Sequence, residues 1–172
     1  MFDVTHVGAA GGTNWDTDIA GFFSPAIPAD YRAEHKPLID GSDARDTIAN
    51  YEDYPELFVR WFEWGAFQPV MRAHGERNHN EVWSYGKRAE PILAKYLKLR
   101  YQILPYTYSI AYGSYKTGAP YMRALFMDFP GDPKAADIPA EYMYVAAFLV
   151  APVTEQGATQ SGSDTGSDGA TS

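Results

Sequence analysis

Cysteine is absent from this 172-residue chain. Disulfides and thiolate metal sites are therefore excluded, and cysteine usage gives no reading of compartment. Positive charge is scarce: 14 Lys and Arg stand against 22 Asp and Glu, a formal net charge of −8. A nucleic-acid binder needs a basic footprint, and so does a protein that docks on anionic lipid, so both partner classes are disfavoured. Long apolar runs are missing too, and no transmembrane helix is expected. Met1 to Gly12 lacks a basic stretch leading into an apolar run, the pattern of a secretory leader. His6, His35 and His79 show no paired metal-ligand spacing. No metal or cofactor is implied.

Aromatic rings are what the chain has in excess, with 13 Tyr, 9 Phe and 4 Trp. Hydrophobic residues make up 45%, enough to bury a core. Most of the rings are expected to be packing. A ring face can also stack on the apolar face of a sugar while polar groups at its rim bind the hydroxyls.

Residues 1–13 are small and Gly/Ala-rich, with little pattern. Residues 14–23 read as a buried strand running into a loop. The stretch 24–52, rich in Pro, Asp, Ala and Gly, is long for a connector. Asp53-Tyr-Pro55-Glu56 reads as a helix start, with Asp53 as N-cap, Pro55 in the first turn and Glu56 at the positive end of the dipole. Leu57, Phe58, Trp61, Phe62 and Trp64 continue at helical spacing to an expected end near Gly65. Pro69 to Ala73 reads as a second strand and 75–89 as a polar loop.

Pro91 is expected to open a second helix, with an apolar stripe at Ile92, Tyr96, Leu99 and Ile103 and with Leu93, Leu97 and Leu104 beside it. Pro105 should kink it and Gly118 should stop it. Tyr121 to Phe129 reads as a strand. Tyr142 to Val153, apolar almost throughout, reads as another, buried on both faces. The Gly/Ser/Asp/Thr tail has nothing to bury and should be disordered. The order is α/β followed by a β segment. Two βα units cannot close an eight-fold barrel, which takes about 250 residues.

Two clusters carry chemistry. Trp15-Asp-Thr-Asp18-Ile-Ala-Gly-Phe22 combines carboxylates with flat rings. Arg72-Ala-His74-Gly75 adds a guanidinium and an imidazole. Together they are a set able to hold one sugar ring. Asp16 lies two residues from Asp18 and shares its face if the segment is extended, so a paired-carboxylate site is one reading. Each residue alone also has a structural reading: Asp18 as a turn or cap residue, His74 as a structural histidine, Arg72 as an ion-pair partner.

The pattern Trp15-x-x-Asp-Ile-x-Gly-Phe22 resembles the seventh-strand region of glycoside hydrolase family 31, the retaining α-glucosidases and α-xylosidases. The likeness continues through Tyr54-Pro-Glu-Leu-Phe-Val-Arg-Trp61, Gly65-Ala-Phe-Gln-Pro69, Arg72-Ala-His-Gly75 and Tyr96-Leu-Lys-Leu-Arg-Tyr-Gln-Ile-Leu-Pro-Tyr106. It ends with Pro120-Tyr-Met-Arg-Ala-Leu-Phe126 and Phe148-Leu-Val-Ala-Pro-Val-Thr154, and so covers roughly residues 14–159. Asn80-Glu-Val-Trp-Ser-Tyr-Gly86 is most similar to the bacterial α-xylosidase branch.

The resemblance implies the last part of a (β/α)8 TIM barrel followed by strands of a β-sandwich domain. Residues 1–13 would be an unmatched N-terminal segment, 14–118 the last two βα units, 119–159 the start of the sandwich and 160–172 a disordered tail. It implies a carbohydrate substrate, with Asp18 accepting from hydroxyls of the sugar in the −1 subsite. Phe22 would wall the ring and His74 would donate to its 2-OH or 3-OH. Trp15 and Arg72 would lie near the site, Arg72 orienting carboxylates.

Retaining glycosidases need a nucleophile and a general acid/base about 5–5.5 Å apart. In the family both are aspartates on earlier barrel strands. No counterpart of either falls here, and no catalytic residue is assigned. With residues 1–13 and the tail departing from the family pattern, the expectation is a piece of a larger enzyme or a truncated or frame-shifted reading frame, inactive alone. Ala20 stands where Gly is common, and Tyr144-Val-Ala146 replaces a more usual Phe-Gly-Pro.

Overall fold

A computed structural model of the chain describes residues 12–23, 54–76 and 80–157. The expectations for Asp53, the 24–52 connector, the first eleven residues, the tail, His6, His35 and His79 lie outside the described residues. In order, the described elements are α1 (Tyr54–Gly65), α2 (Gly86–Gln102), α3 (Leu104–Thr117), β1 (Met122–Ala124), α4 (Leu125–Asp128), a 3-10 turn (Pro133–Asp137), β2 (Tyr142–Tyr144), a second 3-10 turn (Val145–Ala147) and β3 (Phe148–Val150).

Helix α1 runs as its sequence predicts, from Pro55 and Glu56 in the first turn to Gly65. Its buried face is Tyr54, Phe58, Val59, Phe62 and Trp64, whereas Leu57 is exposed. Phe58 is fully buried and stacks on Tyr85 with centroids 3.8 Å apart. Burying such a side chain contributes about 2–3 kcal/mol. Gly65 lets the helix end close on the 15–22 segment: a Cβ there would stand 2.8 Å from Cδ1 of Ile19, which would have to shift.

Helix α2 starts at Gly86, five residues before Pro91. Gly86 has φ 86°, a turn that glycine makes without strain, and Pro91 sits inside the helix. The break before Pro105 is as expected: α2 ends at Gln102, Ile103 caps it, and α3 places Pro105 in its first turn. Gly118 ends α3 with a left-handed φ of 75° and donates its N–H to the Ser114 carbonyl. The inward stripe is Ala89, Leu93, Tyr96, Arg100, Ile103, Thr107, Ile110 and Ser114, each buried or half-buried. Its alternating steps of four and three pass through the break without losing register. Of the predicted stripe, Tyr96 and Ile103 lie on this face and Leu99 is half-buried beside it, while Ile92 is exposed; Leu93, expected beside the stripe, is fully buried.

Segments 15–22 and 70–76 are not regular strands, but they run side by side in parallel. Val70 N–H donates to the Trp15 carbonyl, Ile19 N–H to that of Arg72, and Glu76 N–H to that of Phe22. Met71 and Ala73 pack with Ile19, Phe58 and Phe62 in a core beneath α1 and α2.

The sheet is antiparallel with order β1-β2-β3, pairing Met122 with Tyr144 and Tyr142 with Val150. Only Met122–Ala124 of the predicted 121–129 strand is β, because the chain turns into α4 at Leu125. The predicted 142–153 strand is two, split by the 3-10 turn at 145–147. It is not buried on both faces: Tyr142, Tyr144 and Val150 face the core, while Leu149 is exposed. The second core gathers Trp64, Tyr121, Met122, Tyr142, Tyr144 and Val150, and Trp61 touches both cores.

The two cores meet at one turn. Arg100 donates from Nη1 to the carbonyls of Ala66 (3.0 Å) and Gln68 (2.6 Å), and from Nη2 to that of Pro69 (2.9 Å). Tyr142 donates to the Phe67 carbonyl at 3.0 Å and Tyr144 to that of Gln68 at 3.3 Å. Arg100→Met leaves these carbonyls without their charged donor and should lower the unfolding free energy by about 3 kcal/mol, read as a shift of the urea midpoint.

Burial, opposed by the Trp64 indole, holds the Tyr142 phenol well above its ordinary value of 10.0, and burial also raises Tyr96, Tyr106 and Tyr121. Above pH about 10 the unfolded chain ionises these phenols first, so the folded state binds more protons and stability falls as pH rises. Urea midpoints should hold to pH about 9 and drop as pH rises through about 10 and above. Tyr142→Phe should make that drop shallower.

Candidate functional site

The site is built by the alternation of the two extended segments. Odd positions turn toward the helices. Trp15 packs on Trp64 at 6.3 Å, Thr17 accepts from Trp61 Nε1 at 2.9 Å, and Ile19 is fully buried. Thr17 also meets the amide of Gln68, which is itself fully buried. Even positions turn the other way, as a two-residue period requires. Asp16 and Asp18 both reach Arg72, and His74 lies two residues beyond Arg72, exposed like it.

Arg72 is held by two carboxylates. Its Nε lies 2.6 Å from Asp16 Oδ2 in an ion pair, and its Nη2 donates to Asp18 Oδ1 at 3.2 Å. The guanidinium is half-exposed, whereas both carboxylates are mostly covered. Ionised carboxylates are acceptors only, so these two are placed to receive hydrogen bonds. Asp18 Oδ2 and the Nη1 of Arg72 have no partner among the described residues, leaving one acceptor and one donor edge open.

Phe22 and His74 meet edge-on with centroids 5.5 Å apart, and Phe23 also packs edge-on with Phe22 at 4.9 Å. The backbone forces this meeting. A Cβ on Gly75 would fall on the Phe22 carbonyl oxygen and come within 3.1 Å of its carbon. The turn before Phe22 is tight: Gly21 N–H donates to the Asp18 carbonyl at 2.7 Å, and Ala20 is left-handed with φ 63°.

The structure thus brings together Asp18 with Arg72, and Phe22 with His74. Trp15 is set apart, on the opposite face against Trp64. The sequence reading weighed Asp16 only as a possible second carboxylate; its bond to Arg72 follows from the same two-residue period. Gln68 and Gly75 lay inside the recognised blocks, but nothing in their local pattern announced a buried amide or a backbone contact. Among the described residues no group of three His, Asp or Glu could hold a metal ion, and no helix is long and apolar enough to cross a membrane.

A carboxylate pair around a guanidinium thus stands beside an imidazole packed on a phenyl ring. Comparison with known proteins gives the family of the chain. The model of the glycosyl hydrolases family 31 TIM-barrel domain matches residues 2–110, and that of the glycosyl hydrolase family 31 C-terminal domain matches residues 118–163. The chain belongs to glycosyl hydrolase family 31. The first match includes most of the opening segment that the sequence reading left unmatched.

An α-xylosidase of Saccharolobus solfataricus is 36% identical over 142 residues, covering 81% of this chain and 16% of that enzyme. The human neutral α-glucosidase C is 40% identical over 121 residues, covering 69% of this chain and 13% of its own length. The chain therefore spans about a sixth or less of these relatives. Among solved structures, a family 31 α-xylosidase from a soil metagenome, complexed with xylose, shares 36% identity at a TM-score of 0.69, covering 88% of this chain and 22% of that one. A Flavobacterium johnsoniae dextranase complexed with glucose shares 33% at 0.69, covering 90% and 16%. The described helices and sheet are thus the last part of a (β/α)8 barrel followed by strands of a β-sandwich, an α/β architecture.

Gly75→Ala should push the two segments apart. Stability should fall by about 1–3 kcal/mol, as for overpacking elsewhere, and the His74 ring should lose its contact with Phe22. The loss would show as a change in the His74 ring-proton shifts by NMR.

Proposed function

We propose that this chain carries part of the −1 subsite of a retaining α-glycosidase that removes terminal α-linked xylose or glucose from oligo- or polysaccharides. Asp18 accepts from adjacent sugar hydroxyls through the oxygen that Arg72 leaves open. His74 donates to the 2-OH or 3-OH, and Phe22 walls the ring. Trp15 supports the segment from behind by anchoring it on Trp64. The observation that carries the reading is the Asp18–Arg72 pair beside the Phe22–His74 contact on one open face. The relatives' names as α-xylosidase and α-glucosidase, and the xylose and glucose bound to two structural neighbours, support this substrate class.

The chain's own role on this reading is to hold the sugar. The bond-breaking pair, a nucleophile and an acid/base about 5–5.5 Å apart, is assigned to no residue here. A second reading, a non-catalytic sugar-binding protein, is favoured by one feature. Asp16 and Asp18 are both engaged by Arg72, so the carboxylates gathered here are spent on the protein's own cation.

Calorimetry with xylose and with glucose tests the subsite. Asp18→Ala and His74→Ala should each weaken binding about tenfold or more, the loss of about 1.4 kcal/mol or more per site. Binding left intact by both changes would remove the subsite reading. The pure chain should not turn over aryl α-xylosides. Turnover abolished by Asp16→Asn or Asp18→Asn would assign the chemistry to this chain after all.

A further inference from the structure

Asp18 is an acceptor for sugar hydroxyls only while Arg72 leaves it an oxygen. Guanidinium and carboxylate favour a forked pair with two parallel hydrogen bonds, which occupies both oxygens. That pair does not form here. Arg72 meets Asp18 through Nη2 alone, at 3.2 Å, while its Nε is taken by Asp16 at 2.6 Å. Asp16 makes the closer ion-pair contact, and its side chain is the more covered of the two. A half-exposed arginine has many rotamers open to it, so a close ion pair at Nε narrows the choice.

Resting on the sugar-binding reading above, we propose that Asp16 is a positioning residue that fixes the Arg72 guanidinium and so keeps Asp18 half-engaged, with Oδ2 free for a sugar hydroxyl and the Nη1 edge of Arg72 free to donate to the same ligand. Asp16 touches no sugar itself. Its place in the segment makes this possible: 16 and 18 share a face, and 72 lies across from them through the Ile19–Arg72 backbone bond. One guanidinium therefore spans two carboxylates on one face. Without Asp16, Arg72 is released to fork onto Asp18, and the acceptor is consumed by the protein's own cation. The second carboxylate of the Asp-Thr-Asp segment thereby serves the first.

The test combines two readouts on the full chain. The first is the Arg72 Nε–Hε signal in the 15N-labelled protein, assigned by its absence in Arg72→Met. The second is calorimetry with xylose and with glucose. In the wild type the signal should be that of an ordered side chain by 15N relaxation. Asp16→Ala should remove that signature and weaken sugar binding about tenfold. Asp16→Glu, which keeps a carboxylate to pair with the guanidinium, should restore most of both, a rescue that general loss of packing does not give. In the Arg72→Met background, Asp16→Ala should change binding little, since its partner is gone. An Arg72 signal indifferent to Asp16→Ala overturns the proposal. So does a lost signal with unchanged sugar affinity, and that outcome leaves the subsite reading standing. A wild-type chain that binds neither sugar sinks the subsite reading, and the role of Asp16 falls with it.

Discussion

The carbonyls of residues 66–69 hold this structure together. A turn that leaves a helix end carries orphan acceptors, and burying them unpaired is costly. Four consecutive carbonyls here are each met by a side chain from another element. Arg100 of α2 takes Ala66, Gln68 and Pro69, while Tyr142 and Tyr144 of β2 take Phe67 and Gln68. Tyr144 also meets Thr107 of α3 at 3.1 Å. One turn thus ties α1, α2, α3 and the sheet. It also fixes where residues 70–74 begin, and with them the positions of Arg72 and His74. The guanidinium suits the task because its fork of fixed donors can serve three carbonyls at once.

That same arginine explains where the sequence misleads. An apolar stripe read along α2 skips Arg100 and shifts to Leu99, dragging Ile92 inward with it. The true stripe includes Arg100 because its polar end is spent on backbone. Features set by local chain chemistry were readable: the start and stop of α1, the break before Pro105 and the Gly118 cap. Those set by tertiary contacts were not. Pro91 looked like a start, yet the Tyr85 ring buried on Phe58 and the Gly86 turn bring the helix in earlier. The 142–153 run looked like one strand, yet Val145 turns it with φ 30°. Of the site, the two-residue period placed Asp16 and Asp18 together, and resemblance supplied the rest. The opposite facing of Trp15 follows from the same period and was obscured by its place in the recognised block.

Two departures from the family pattern acquire a physical meaning. Ala20 and Val145 stand at or beside positions where glycine is usual, and they are the only non-glycine residues with positive φ among those described. A Cβ in that region crowds the following carbonyl, at about 1–2 kcal/mol per residue, with the higher cost for a β-branched side chain. Each strained turn is braced. Ala20 gives its carbonyl to the Tyr54 hydroxyl at 3.2 Å. The Tyr106 hydroxyl sits 2.9 and 2.8 Å from the carbonyls of Tyr144 and Val145 and accepts from Ala147 N–H. Val145 N–H donates to the Tyr121 carbonyl at 2.9 Å. Tyr144, where Phe is usual, spends its extra hydroxyl on Gln68 and Thr107. The strain at one end of β2 is thus offset by bonds from the tyrosines around it.

On the proposed reading, the residues gathered here bear on binding more than on rate. Groups that hold substrate and transition state equally well lower KM without raising kcat. Asp18, locked against Arg72, is a fixed acceptor, and Phe22 is a fixed wall. Neither gains a partner as a glycosidic bond stretches. A hydrogen bond to the 2-OH is different, because in glycoside hydrolysis it strengthens as the ring approaches an oxocarbenium ion. His74 is the residue here placed for that role, on the exposed side of a backbone that Gly75 pins to Phe22. If any group of this chain contributes to the barrier as well as to affinity, the geometry assigns it to that imidazole and not to either carboxylate.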